Sequence, residues 1–286
     1  MRFARQVYFC GLSGMLGGLL AWLAIGALDA SRWPNLWLSS AVQGGGLGAL
    51  LVAALGLTRG VVERRPFRRV WRDVRSGVWV GLLGGACGLL IGQAVFLSAR
   101  GGWSGRVAGW LSLSVLIGLA QAVGQASQRR LLVGCAAGLI SGIGCGFAYE
   151  ALTQMFLAQS DTAQLWASCV GFMVVGGLFA TGIPTAEHLI ATAVLVVRSG
   201  ERIGGEFLLL DRLLIGSSED CRVMLTGDPG IEPKHVLVEQ ASGIIRVTNH
   251  GQGSIEVAGL RVDSGNSREC APGAILKVGQ TEMAIV

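Results

Sequence analysis

The sequence predicts a polytopic α-helical membrane domain followed by an all-β sandwich. Two observations lead there: six apolar stretches long enough to cross a bilayer, and a C-terminal third built of short strand-like runs between turns. A third agrees, because 51% of the 286 residues are hydrophobic, 14% are charged and 45 are glycine. That balance is foreign to an ordinary soluble domain.

The spans fall near residues 7–28, 36–58, 77–98, 105–126, 131–153 and 165–186. Each meets the roughly 20 helical residues that a hydrocarbon core requires. Arg2 and Arg5 before the first span are reminiscent of a signal peptide, but five more spans follow without a small-residue cleavage site, so the span is read as retained. The membrane domain takes residues 1–188 and the β domain residues 191–286.

Charge sets the orientation. Residues 1–190 hold 14 arginines and 6 acids, whereas residues 191–286 hold 9 basic and 12 acidic residues. The basic excess therefore belongs to the membrane half and does not point to nucleic acid. Arg59, Arg64, Arg65, Arg68, Arg69, Arg72 and Arg75 crowd the connection between the second and third spans. Arg129 and Arg130 mark the connection between the fourth and fifth, and the opposite-side connections (Asp29 with Arg32, Arg100 with Arg106, Asp161) are poorer. The positive-inside rule then puts both termini and the β domain in the cytoplasm. Trp71 and Phe67 lie among the arginines, so this loop is expected to meet anionic lipid as well as to set topology.

The odd spans share a glycine string and the even spans a Trp–Ser signature, Trp37 with Ser39, Trp110 with Ser112 and Trp166 with Ser168. Together they predict three successive helical hairpins. Gly14 and Gly18, Gly81 and Gly85, Gly84 and Gly88, and Gly134, Gly138 and Gly142 recur at intervals of four, on one helical face. Such faces let backbones approach closely, first of all within one bundle. A homo-oligomer or a membrane partner is their second use.

Transport usually leaves ionisable groups inside spans, and none lies near the middle of any span here. Glu150 sits toward an outer end, Gln43, Gln93, Gln121 and Gln125 are the polar set, and Pro184 reads as a helix stop. Interhelical hydrogen bonding accounts for the glutamines ahead of a substrate path. The seven cysteines show no zinc spacing and no disulfide framework, so no metal or other cofactor is expected.

In the tail, 193–197, 207–210, 235–239, 244–247 and 275–278 are strand-like. Turn signals at Ser199-Gly200, Gly204-Gly205, Asp228-Pro229-Gly230, Ser242-Gly243 and Pro272-Gly273 separate them. About 95 residues is the usual size of such a sandwich.

Leu213-Leu-Ile-Gly216-Ser217-Ser218, then Ile231-Glu232-Pro233-Lys234-His235, and finally Gly253-Ser254 through Gly259 carry a resemblance to forkhead-associated domains. It covers nearly all of the tail, about a third of the chain. The family reads phosphothreonine peptides through an Arg after Ile-Gly and a Ser three before the His, with an Asn in the second turn. Its His is mostly structural. Here Gly216, His235 and Gly259 fall on scaffold positions. The Arg position is Ser217, the Ser position is Glu232 and the Asn position is Ala258. Ser217, Ser218, Arg222, Lys234, Gly253 and Ser254 are therefore the candidate partner-binding or phosphopeptide-binding residues, with Glu232 opposing phosphate through like charge.

No P-loop, kinase set, metal box or nucleophile–base pair is present, and no catalytic residue is assigned. The resemblance implies a bacterial inner-membrane protein of a phosphosignalling or secretion-type assembly. The expected function is a membrane-anchored scaffold that recruits a cytoplasmic or membrane protein through a degenerate module. The alternatives are a small-solute or ion conduit regulated by its tail, and a genuine phosphothreonine reader.

Overall fold

The computed structural model describes residues 2–27, 33–62, 66–100, 102–123, 128–156, 161–200, 202–228, 230–241 and 244–286. The chain divides into two compact units, Met1–Ala186 and Glu187–Val286.

The first unit holds six helices: α1 (Arg2–Ala27), α2 (Leu36–Val62), α3 (Phe67–Ser98), α4 (Trp103–Val123), α5 (Gln128–Phe156) and α6 (Asp161–Ile190). Each contains a stretch long and apolar enough to cross a membrane. A helix satisfies the backbone groups of its interior within itself, which is what a bilayer requires of a spanning segment.

Glycine decides how they pack. A Cβ at Gly48 would strike the carbonyl of Gly81, one at Gly85 the carbonyl of Gly44, and one at Gly118 the carbonyl of Gly134. Added to Gly14 or Gly18, it would strike Gly176 or Phe172. Gly138 and Gly142 face Val115 and Leu111 in the same way, the latter at 2.7 Å from Cα. Thus α3 and α5 lay four-spaced glycines on the even helices before them, α2 and α4, and α1 lays its own on α6. Gly88 belongs to a second face of α3, where a Cβ would lie 2.7 Å from Leu113 Cα of α4. Backbone contact of this kind supplies the dispersion energy that lipid tails cannot. Trp22 Nε1 donating to Ser168 Oγ at 3.0 Å adds a further tie between α1 and α6. The largest fully buried side chains of this unit are Phe179, Leu51, Leu113 and Ile117.

Two expectations about this unit need correction. The arginine-rich connection is not a long loop, because α3 begins at Phe67 with Pro66 in its N-cap. Arg68, Arg69, Arg72 and Arg75 therefore ride on helix, with the intervening Val70 and Val74 buried. Pro at a helix entry has no N–H to lose, and Val70 packs against Gly60 of α2. Arg64 and Arg65 lie outside the described residues, as do Gln125, Asp29 and Arg32. Nor does Pro184 stop α6, which continues to Ile190. Pro184 removes the N–H that would meet Ala180 O, yet the helix runs on through the buried Ile183 and Ala186 on either side of it.

The second unit is a sandwich of two sheets. One runs in the order β2 (Glu206–Leu209), β1 (Ala193–Val197), β11 (Thr281–Ile285), β10 (Ile275–Val278), β7 (Ile255–Val257), β8 (Leu260–Val262). The other runs β4 (Val223–Met224), β3 (Arg212–Gly216), β5 (Val236–Ala241), β6 (Ile244–Asn249), β9 (Ser267–Cys270). Alternation drives the layers: Leu195 and Val197, Ile245 and Val247, Leu276 and Val278 point inward into one core with Ile215, Val236, Val257 and Met283. Every strand expected from sequence is present within two residues at either end, and β3, β4, β7, β8, β9 and β11 join them.

Candidate functional site at the sandwich apex

Three loops meet at one end of the sandwich, between β3 and β4, between β4 and β5, and between β6 and β7. Backbone hydrogen bonds stitch the first two: Ser217 N donates to Glu232 O at 2.9 Å, and Ser218 N to Pro233 O at 3.1 Å. Cys221 Sγ adds a bond to Pro233 O at 3.0 Å. Gly216 is compelled by this closeness, since a Cβ there would collide with the carbonyls of Pro233 and Glu232.

His235 fastens the third loop. Its carbonyl accepts from His250 N and Gly251 N at 2.8 and 3.0 Å, and its own N–H donates to Ile215 O at 3.0 Å. Nδ1 accepts from Glu232 N at 3.1 Å, so the proton of the neutral ring sits on Nε2. The ring is 2% exposed, and among the described residues Nε2 has no hydrogen-bond partner. His235 thus acts as scaffold. Asn249 plays the matching part: its Nδ2 donates to Gly253 O and Val262 O at 2.7 and 3.0 Å, and its Oδ1 accepts from Gly251 N at 3.0 Å.

Glu232 stands between the loops. Its Oε1 accepts from Gln252 N at 2.6 Å, a short, charge-assisted bond. Around it, Ser217, Ser218 and Arg222 are half-buried on the β3–β4 loop, while Lys234, Gly253 and Ser254 are exposed. All six candidate binding residues therefore fall on the three apex loops. Glu219 and Asp220 are exposed there as well, which keeps the apex mixed in charge.

The stretch Gly253–Gly259 does not form one turn. It holds the end of the apex loop, strand β7, and a tight β7–β8 hairpin at Ala258 (φ 52°) and Gly259 (φ 75°), away from the loops. Two consecutive left-handed residues are what a two-residue hairpin needs, and this is the constraint that Gly259 satisfies. Asn249, Gly251 and Gln252 were not picked out from sequence as site residues. The Thr-Asn-His-Gly-Gln-Gly run signals a turn, but their roles are carried by a core-facing amide, a missing Cβ and a backbone N–H. Elsewhere in this unit, burial pushes the Cys270 thiol up, with Arg268 opposing.

In the helical unit one ion pair was also not anticipated. Arg106, in the first turn of α4, grips Glu150 of α5 with both Nε and Nη2, at 2.6 and 2.9 Å. Gln154 donates to the same carboxylate at 2.9 Å. Gln43 donates to Ser39 Oγ of its own helix at 3.0 Å, an intrahelical bond where an interhelical one was expected.

No family model matches the chain, and no curated protein matches it. Solved structures similar to its C-terminal part are forkhead-associated domains. One is the FHA domain of FhaA, solved in complex with the intracellular domain of Rv3910; at 18% identity and a TM-score of 0.29 it covers 33% of this chain and 100% of its own. The FHA domain of the CT664 protein from Chlamydia trachomatis has 18% identity and a TM-score of 0.30, covering 33% of this chain and 95% of its own. The MEK1 FHA domain has 16% identity and a TM-score of 0.32, covering 35% of this chain and 92% of its own.

Proposed function

We propose that this chain is a multi-pass inner-membrane scaffold whose cytoplasmic tail recruits a protein partner through its apex loops without requiring phosphate. The observation that carries the reading is the composition of the apex. Its framework, Gly216, His235 and Asn249, is closely bonded, while position 217 is a serine and position 232 a glutamate. Tight recognition of a phosphate dianion rests on charge-assisted, often bidentate bonds from arginine, and a carboxylate in that place opposes it. A loop framework kept rigid around exchangeable surface residues is suited to protein contact.

The helical unit supports an anchor over a conduit. Its four largest fully buried side chains are apolar, and glycines of its four-spaced faces, Gly14, Gly18, Gly81, Gly85, Gly138 and Gly142, are engaged between its own helices. Those same contacts make a bundle complete in one chain the first use of the glycine faces, ahead of a homo-oligomer. Exposed Phe67 and Trp71 beside Arg68 and Arg72 suit an anionic leaflet, and the arginine asymmetry favours cytoplasmic termini.

A photo-crosslinking residue at Ser254 of the full chain, irradiated in intact membranes, tests the recruitment. The expected outcome is a discrete protein adduct that persists after phosphatase treatment and is lost when the crosslinker is moved to Ile203, in a different loop of the tail. An adduct abolished by phosphatase, or none at the apex, contradicts the reading.

A further inference from the structure

The Glu232 carboxylate bridges two apex loops through a backbone amide. Gln252 N–H is an exposed-loop donor, and its acceptor is a full negative charge at 2.6 Å. By its chemistry, a backbone N–H satisfied by a carboxylate is an oxyanion position. Exposed Lys234 lies two residues from Glu232, and the backbone of Ser217 is bonded to Glu232 O, so a cation and a hydroxyl-bearing residue belong to the same cluster of loops.

We propose that Glu232 is a built-in anion, occupying an oxyanion-binding position on Gln252 N–H that becomes available to an external phosphate when the carboxylate is removed. The proposal rests on the reading that the apex meets the partner, and it adds why phosphate is not what holds that partner. An incoming phosphate must displace the 2.6 Å bond and sit beside a like charge. Removing the charge ends both costs and leaves Gln252 N–H with Lys234 to receive the anion. The framework survives the change, because the bond between the loops' scaffold and residue 232 uses the backbone N–H of Glu232 to His235 Nδ1, which any substitution but proline keeps.

The test uses the full chain in nanodiscs, titrated with a degenerate phosphothreonine peptide library and with its unphosphorylated twin, and with inorganic phosphate as competitor. The wild type is expected to show no preference for the phosphorylated library. Glu232→Ala gains a preference of about tenfold, the worth of one charge-assisted hydrogen bond, and inorganic phosphate competes for it. Adding Lys234→Ala removes most of that gain. Glu232→Gln, which retains an oxygen toward Gln252 without the charge, gains less. Should Glu232→Ala lower the melting transition, Glu232→Gln carries the comparison. A folded Glu232 variant that gains no phosphate preference overturns the built-in anion and leaves phosphate-independent recruitment standing. A wild type that already prefers the phosphorylated library overturns both.

Discussion

The imidazole of His235 lies against Gly251 so closely that a Cβ on Gly251 would be 2.7 Å from Nδ1, Cδ2 and Cε1 at once. This contact, with the two N–H bonds to the His235 carbonyl, fixes the β6–β7 loop over the β4–β5 turn. Gly251→Ala is therefore expected to destabilise the tail by about 1–3 kcal/mol, the usual cost of overpacking a filled site. Chemical denaturation of the full chain, followed by a tail-specific probe, reads this as a lower midpoint. An unchanged midpoint means the ring can move aside and is not the fastener described.

Ala258 carries the opposite sign. It sits at φ 52° in the β7–β8 hairpin, where an L side chain is strained. Asn tolerates this region and leads the Asn-Gly pair that such hairpins prefer. Ala258→Asn should stabilise the tail by about 0.5–1 kcal/mol, a fraction of the 1–2 kcal/mol left-handed penalty. The same denaturation experiment should show a raised midpoint. Peptide binding should stay unchanged, because this hairpin is not one of the apex loops.

Gly46 and Gly48 form an internal control in α2. Nothing lies within 4 Å of a Cβ at Gly46, whereas one at Gly48 meets the Gly81 carbonyl. Gly48→Ala should force α2 from α3 and lower the thermal stability of the detergent-solubilised chain. Gly46→Ala should leave it unchanged or raise it slightly, since alanine is the better helix former. Equal effects at both positions contradict the packing.

Glu150 is held at 10% side-chain exposure by Arg106. Removing Arg106, whose own side chain is 35% exposed, takes the bidentate partner from that carboxylate and leaves Gln154 on it, at a cost of about 1–3 kcal/mol. Arg106→Ala is thus expected to impair folding or membrane accumulation, while Arg106→Met with Glu150→Leu recovers much of the loss. Accumulation of the full chain in membranes and its melting temperature measure both.

The helices and their glycine faces were legible in sequence because length and spacing carry that information directly. The core strands were legible as short apolar runs bounded by turn signals, as at Ala193–Val197 and Ile275–Val278; their alternation is one of burial and appears only in the fold. β9, reading Ser-Arg-Glu-Cys, looks like polar loop and becomes a strand only because β6 pairs with it. Likewise β11 is defined by partners on both sides, β1 and β10. Pro184 misled because an internal proline removes one helical bond without ending a helix whose flanking residues, Ile183 and Ala186, are buried. At the apex, Glu232 stood out as a charge in the wrong place. Its bond to Gln252 did not, since a backbone amide leaves no mark on residue identity. Arg106 and Glu150 lie 44 residues apart, and nothing local joins them.

The most direct test of the account is the wild-type full chain titrated with matched phosphothreonine and threonine peptides from its own crosslinked partner. Equal affinity for the two forms is the predicted result, with Glu232 keeping Gln252 N–H. A clear preference for the phosphorylated form would contradict it and make the tail a phosphothreonine reader.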